Sequence, residues 1–153
     1  MDATSLRMLI ELATTARDAA AAKRAQCAAA VEAARQQLKL LQGYAADYDR
    51  RAQVTLANGA DIAAQNNLQA FAGKLQRALE QQGNETRRRE QVLAVAEHEF
   101  IESQRKLKSL QALQERGLAQ ARQAAVRREQ KAVDEMAQGM FARSERPLAT
   151  NGW

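Results

Sequence analysis

Apolar residues recur along most of this chain at alternating intervals of three and four. A first stripe runs Leu6, Leu9, Ala13, Ala16, Ala20, Lys23, Cys27, Ala30, Ala34, Gln37, Leu41, Tyr44 and Tyr48. A second runs Leu68, Ala72, Leu75, Leu79, Gln82, Thr86, Arg89, Leu93, Ala96, Phe100, Ser103, Leu107, Leu110, Gln114, Gly117 and Ala121. Such spacing holds one narrow seam in register over many helical turns, the pattern of a coiled coil. Between the stripes lies Asn58-Gly59, where glycine can take the left-handed conformation that closes a helix. Asp61 then has the side chain to cap the next one. The pattern predicts helix one over about 5–56, capped by Thr4 or Ser5, a turn over about 57–61, and helix two over about 62–143.

Two helices joined this way can zip antiparallel. Folding about residue 59 sets each position i opposite a residue near 118 minus i, so helix one runs out near Gln111 to Leu113. Everything from Gln114 to Arg143 then overhangs, and its apolar positions change to Val126, Val133, Met136 and Met140. The expected fold is all-α: a long antiparallel two-helix coiled-coil hairpin with an overhanging C-terminal helix end. It is read as a single rod over 1–143, followed by a disordered tail over 144–153 that contains the one proline, Pro147. An unpaired helix of that length with apolar residues on it is expected to dock on something.

Composition sharpens this picture. Much of the 46% hydrophobic fraction is alanine and only 4% of residues are aromatic. Alanine favours helix but buries little, each missing methylene forgoing roughly 0.8 kcal/mol. The net charge of +5 is moderate. Basic clusters at Arg50-Arg51, Arg87-Arg88-Arg89 and Arg127-Arg128 are flanked by acids such as Asp47, Asp49, Glu85, Glu90 and Glu129. That mixture suits a solvated helix face better than a nucleic-acid track, which wants a one-sided stripe. Cys27 is alone, so it is read as a small seam residue in a reducing compartment. The N-terminus lacks the apolar run of a signal peptide, and no run of about 20 apolar residues could span a bilayer. The expected location is the cytoplasm or the periphery of a membrane.

Catalytic chemistry is not legible. The glycines form no phosphate loop. His98 is the only histidine and falls off the seam, and with one cysteine it cannot build a metal site of ordinary ligand spacing. The carboxylates interleave with Arg and Lys as helix-surface pairs. No catalytic residue, metal, cofactor or small-molecule substrate is expected, and any influence on catalysis would act through a partner.

Two groups of residues resemble a known family. One is Gln37, Leu41, Tyr44 and Tyr48 on helix one with Phe71, Leu75, Ala78 and Gln82 on helix two. The other is Arg105-Lys106-Leu107-Lys108-Ser109-Leu110 with Glu115-Arg116, followed by Arg128-Glu129-Gln130-Lys131-Ala132-Val133-Asp134-Glu135. Over about residues 5–138 the chain resembles the FliJ family of the bacterial flagellar type III export apparatus. The resemblance implies an antiparallel two-helix rod, similar to the central stalk of rotary ATPases. It would insert into and activate the ring of the flagellar export ATPase and contact the cytoplasmic domain of the membrane export-gate protein. It would also help handle export chaperones of minor filament components.

Carried over by position, the resemblance implies export-gate contacts at Gln37, Leu41, Tyr44, Tyr48, Phe71, Leu75, Ala78 and Gln82. It implies ATPase-ring contacts at Glu115, Arg116, Glu129, Gln130, Lys131, Asp134 and Glu135. The first two sets of four are each spaced four, three, four, so each forms a stripe. Both stripes fall at one level of the hairpin. Other readings stay open on the residues alone: the equivalent stalk of a virulence type III secretion system, an export chaperone, or a coiled-coil scaffold for nucleic acid or a membrane surface.

Overall fold

The computed structural model describes residues 1–145; residues 146–153 of the expected tail lie outside the described residues. Two helices make up the described chain: α1 (Ala3–Ala57) and α2 (Ile62–Ser144). They pack together as an all-α helical hairpin.

The helix ends follow from local hydrogen-bonding chemistry. α1 is capped two or three residues earlier than Thr4 or Ser5 would place it. Asp2 Oδ1 accepts the Ser5 N–H at 2.7 Å, and its carbonyl accepts the Leu6 N–H at 3.1 Å. A carboxylate outcompetes the hydroxyls because its charge also meets the positive end of the helix dipole. The chain leaves α1 through Asn58, whose N–H reaches Val54 O at 3.1 Å, and Gly59, whose φ is +82°. Asp61 then caps α2, its Oδ1 accepting the Ala64 N–H at 2.8 Å.

The contacts within the chain divide it into two compact units. The first spans Glu11–Leu107 and holds the antiparallel pairing. Lys23 pairs with Glu99 at 3.2 Å and Arg35 with Glu90 at 3.2 Å. The Ala30 carbonyl accepts from Arg89 at 3.2 Å, and the Ala34 carbonyl from Gln82 at 3.1 Å. Numbers rise on one helix as they fall on the other. The side chains of these ion pairs stay about half exposed, so each contributes only about 0.2–1 kcal/mol. Their value lies in fixing the register.

The core of this unit is thin. Ala13, Val31, Ala34, Ala96 and Leu107 are its buried apolar residues, with Thr86 buried among them and its hydroxyl donating to the Gln82 carbonyl at 2.8 Å. Alanine at these positions lets two backbones approach closely but removes little apolar area from water.

On α2 the seam follows the expected positions: Leu75, Leu79, Gln82, Thr86, Arg89, Leu93, Ala96, Phe100, Ser103 and Leu107 are all at least half-buried, whereas Ala72 is exposed. On α1 the expected positions pack only in part, Ala30 among those that do. Ala13, Ala20, Cys27, Ala34, Leu41 and Tyr48 are covered, whereas Ala16, Lys23, Gln37 and Tyr44 lie exposed. Arg17, Arg24, Leu38 and Ala45, each one residue later, are covered instead, and Val31 is buried beside the half-buried Ala30. The line through Ala13, Arg17, Ala20, Arg24, Cys27 and Val31 has the same alternation of four and three as the expected one, and it is the line that faces α2. Arg24 joins the seam by laying its guanidinium 3.9 Å from the centroid of the Phe100 ring. An arginine stem packs while its charge rests on an aromatic face.

The second unit comprises Met1–Ile10 with the chain from Lys108 onward. Leu6, Ile10, Leu110 and Gln114 are half-buried in it. From Glu115 to Gln138 every α2 residue is exposed, including Gly117 and Ala121, which the repeat had placed in the seam. Periodicity there outruns the helix available to pair with it.

Candidate functional site

The aromatic group on the first unit is built by the hairpin register. Tyr48 is carried by α1 at a covered seam position, and Phe71 by α2 with 47% of its surface exposed. Their ring centroids lie 4.5 Å apart with the planes inclined by 42°. The Tyr48 hydroxyl donates to the Leu68 carbonyl at 3.3 Å, satisfying the polar end of a side chain whose ring is packed. A shallow groove passes between the helices along Ala45, Tyr48, Ala72, Leu75 and Leu79.

The remaining expected gate-contact residues separate by environment. Leu41, Leu75 and Ala78 are half-buried in the seam, and Gln82 is tied to the Ala34 carbonyl. Their first role is to hold the helices together. Gln37 and Tyr44 face outward, Tyr44 with 63% of its surface exposed. Tyr44 lines a second groove, on the outer face of α1, with Gln36, Lys39, Leu40, Gly43 and Asp47. Leu40, 57% exposed, was missed by sequence reasoning. Its signal was an apolar residue one place before the seam leucine Leu41, on a face the heptad leaves outside. Of the eight, Tyr48 and Phe71 mark a surface across both helices and Tyr44 one on α1 alone.

The charged group lies on the second unit. Glu115, Arg116, Glu129, Gln130, Lys131, Asp134 and Glu135 are all exposed. None of them joins an ion pair among the described residues. Apolar side chains are interspersed: Val126, Val133, Met136, Met140 and Phe141 each leave well over half of their surface open. An alternation of open charge and open hydrocarbon around a helix offers contacts of both kinds to a partner.

Among the described residues, no three His, Cys, Asp or Glu side chains cluster to hold a metal ion. No helix among them is long and apolar enough to cross a membrane. The Asp2 carboxyl is held below its ordinary 3.8, first by the hydrogen bond from the Ser5 N–H and then by the Ser5 side chain. That is capping chemistry and carries no catalytic implication.

Residues 1–146 match the protein-family model described as Flagellar FliJ protein. No curated protein and no solved structure gives a match.

Proposed function

This chain belongs to the flagellar FliJ protein family, and from that premise we propose that it acts as the stalk of the flagellar export ATPase. Membership makes it a component of the flagellar type III export apparatus. In the proposed role the C-terminal part of α2 inserts in the ATPase ring and promotes its assembly and hydrolysis. The aromatic group around Tyr48 and Phe71 engages the cytoplasmic domain of the membrane export-gate protein. Handling of export chaperones for minor filament components belongs to the same reading. The protein itself is non-enzymatic and works in the cytoplasm at the inner face of the membrane.

The observation that carries this reading is the exposed run from Glu115 to Gln138. A helix open to water around its whole circumference, with Leu118, Val126, Val133 and Met136 left uncovered, is stabilised when a partner covers that hydrocarbon. Each fully buried side chain of this size contributes about 1.5–3 kcal/mol relative to leaving it in water. The charged residues of the same run give the contact direction and specificity.

The test is the hydrolysis rate of the same organism's flagellar export ATPase. The full chain at about one copy per six ATPase subunits is expected to stimulate it. A chain ending at Leu113 is expected to stay helical by circular dichroism and to give no stimulation. Undiminished stimulation by the shortened chain would sink the insertion.

A further inference from the structure

The positive charge of this chain is not spread along it. From Met1 to Gln104 there are 13 basic and 13 acidic side chains. From Arg105 to Arg128 there are seven basic side chains and one acid, Glu115. Beyond Arg128 three basic residues face four acids. The whole excess therefore resides in one stretch of α2.

Pairing is distributed the opposite way. Every ion pair among the described residues joins side chains lying between Arg17 and Arg105. Arg116, Arg122, Arg127 and Arg128 have no carboxylate partner among the described residues and are all exposed. The Arg128 Nε donates only to the backbone carbonyl of Ala124, at 3.4 Å. No acid stands between Glu115 and Glu129 to screen them.

Their directions are informative. At about 100° per residue, Arg116 and Arg127 point the same way from the helix axis. Arg128 points about 120° to one side of them and Arg122 about 120° to the other. Four guanidinium groups thus face three directions within about 18 Å of axis. A flat anionic membrane or one groove of a duplex would meet a single side. Membrane seating would also want bulky apolar residues between the arginines. Between Arg116 and Arg128 only Leu118 and Val126 are bulky and apolar, and the other positions between the arginines are glycine, alanine or glutamine.

We infer that the α2 segment from Arg116 to Arg128 docks in a protein channel that surrounds the helix and presents carboxylates toward it. Arg116, Arg122, Arg127 and Arg128 are the contacts. The guanidinium fork suits this role because it pairs bidentately with a carboxylate and stays charged at any working pH. The inference rests on the ring-insertion reading and adds the chemistry of the lining: acidic side chains on several subunits at the level of this segment.

The experiment measures affinity of the full chain for the export ATPase hexamer as salt is raised. It compares the native chain with the triple variant Arg116→Gln, Arg122→Gln, Arg127→Gln. Glutamine is nearly as good a helix former as arginine, so the helix is retained. The triple variant is expected to bind about tenfold more weakly at low salt and to respond less to added salt. Arg122→Gln, Arg127→Gln and Arg128→Gln are each expected to weaken binding alone. Loss confined to one of the three directions overturns the surrounding geometry. A triple variant with native affinity and salt response overturns the carboxylate lining while leaving ring insertion standing.

A native chain that does not bind the ATPase removes the insertion reading instead. Poly-L-glutamate, duplex DNA and phosphatidylglycerol vesicles then separate the charge chemistry. Retention on poly-L-glutamate by the native chain and not by the triple variant supports carboxylate recognition. Tighter binding to DNA or vesicles overturns it.

Discussion

Tyr48 and Phe71 stand on different helices with their ring centroids 4.5 Å apart and their planes inclined by 42°. The tilt offsets the negative face of one ring from that of the other, an arrangement worth about 0.5–1.5 kcal/mol beyond the area it buries. Phe71→Ala is accordingly expected to lower stability by about 1 kcal/mol. Tyr48→Phe keeps the ring pair but loses the hydroxyl bond to the Leu68 carbonyl, at a cost of about 0.5–1.5 kcal/mol. Urea unfolding followed by circular dichroism measures both. An unchanged midpoint for both variants would show that the pair holds nothing together.

Leu41 and Tyr44 test different halves of the proposed gate contact. Leu41 is packed in the seam, so Leu41→Ala is expected to cost about 2 kcal/mol of stability, the low end of the range for buried leucines. Tyr44 and Leu40 are mostly exposed, so Tyr44→Ala and Leu40→Ala should leave the melting temperature within about 0.5 kcal/mol equivalent of the native chain. If the outer groove of α1 meets the gate, both exposed substitutions weaken binding to its cytoplasmic domain. Native binding by both would confine any contact to the Tyr48–Phe71 face.

The turn depends on one backbone conformation. Gly59 has φ of +82°, and nothing lies within 4 Å of where a side chain would begin. The cost of Gly59→Ala is therefore conformational rather than steric crowding, about 1–2 kcal/mol. Asn, which tolerates the left-handed region better, should cost less than Ala. Equal losses for the two would point to another cause.

The cap of α1 is sensitive to acid. Because the Asp2 carboxyl is held below 3.8 in the folded chain, its charged form binds the Ser5 N–H more strongly than its protonated form does. Its contribution is fully present above the ordinary carboxylate value and is lost as pH falls through the depressed one. The Ser5 amide resonance is expected to move, and its protection against hydrogen exchange relative to an unstructured amide at the same pH to fall, as pH drops below about 3.8. Asp2→Asn should remove that titration. A Ser5 amide indifferent to pH would count against the cap.

Much of the fold was readable in advance, and particular residues show why. Asn58-Gly59 and Asp61 carry their turn and cap chemistry in their own side chains and backbone freedom, so they act wherever they stand. The α2 seam from Leu75 to Leu107 was legible because a sustained repeat has one way to face a partner. The α1 seam was only half legible. Residues three and four places on from a seam position lie on the same side of a helix, and Leu9 with Ile10 or Ala30 with Val31 offers apolar side chains at both. The candidate surfaces suffered from the same ambiguity. Tyr44 and Tyr48 look alike in a stripe, yet one is outside and the other is bonded to α2.

The chain's own sequence determined that it would be helical, where it would turn, and that α2 would outlast α1, because these depend on local propensity and on counting residues. Tertiary structure decided which of two adjacent residues enters the seam, that Arg24 rests on Phe100, and that the helix from Glu115 to Gln138 is left uncovered. Those outcomes depend on the facing helix. Periodicity along one strand of chain records that a face is apolar; only the second helix, with its particular side chains at particular heights, selects which residues fill it.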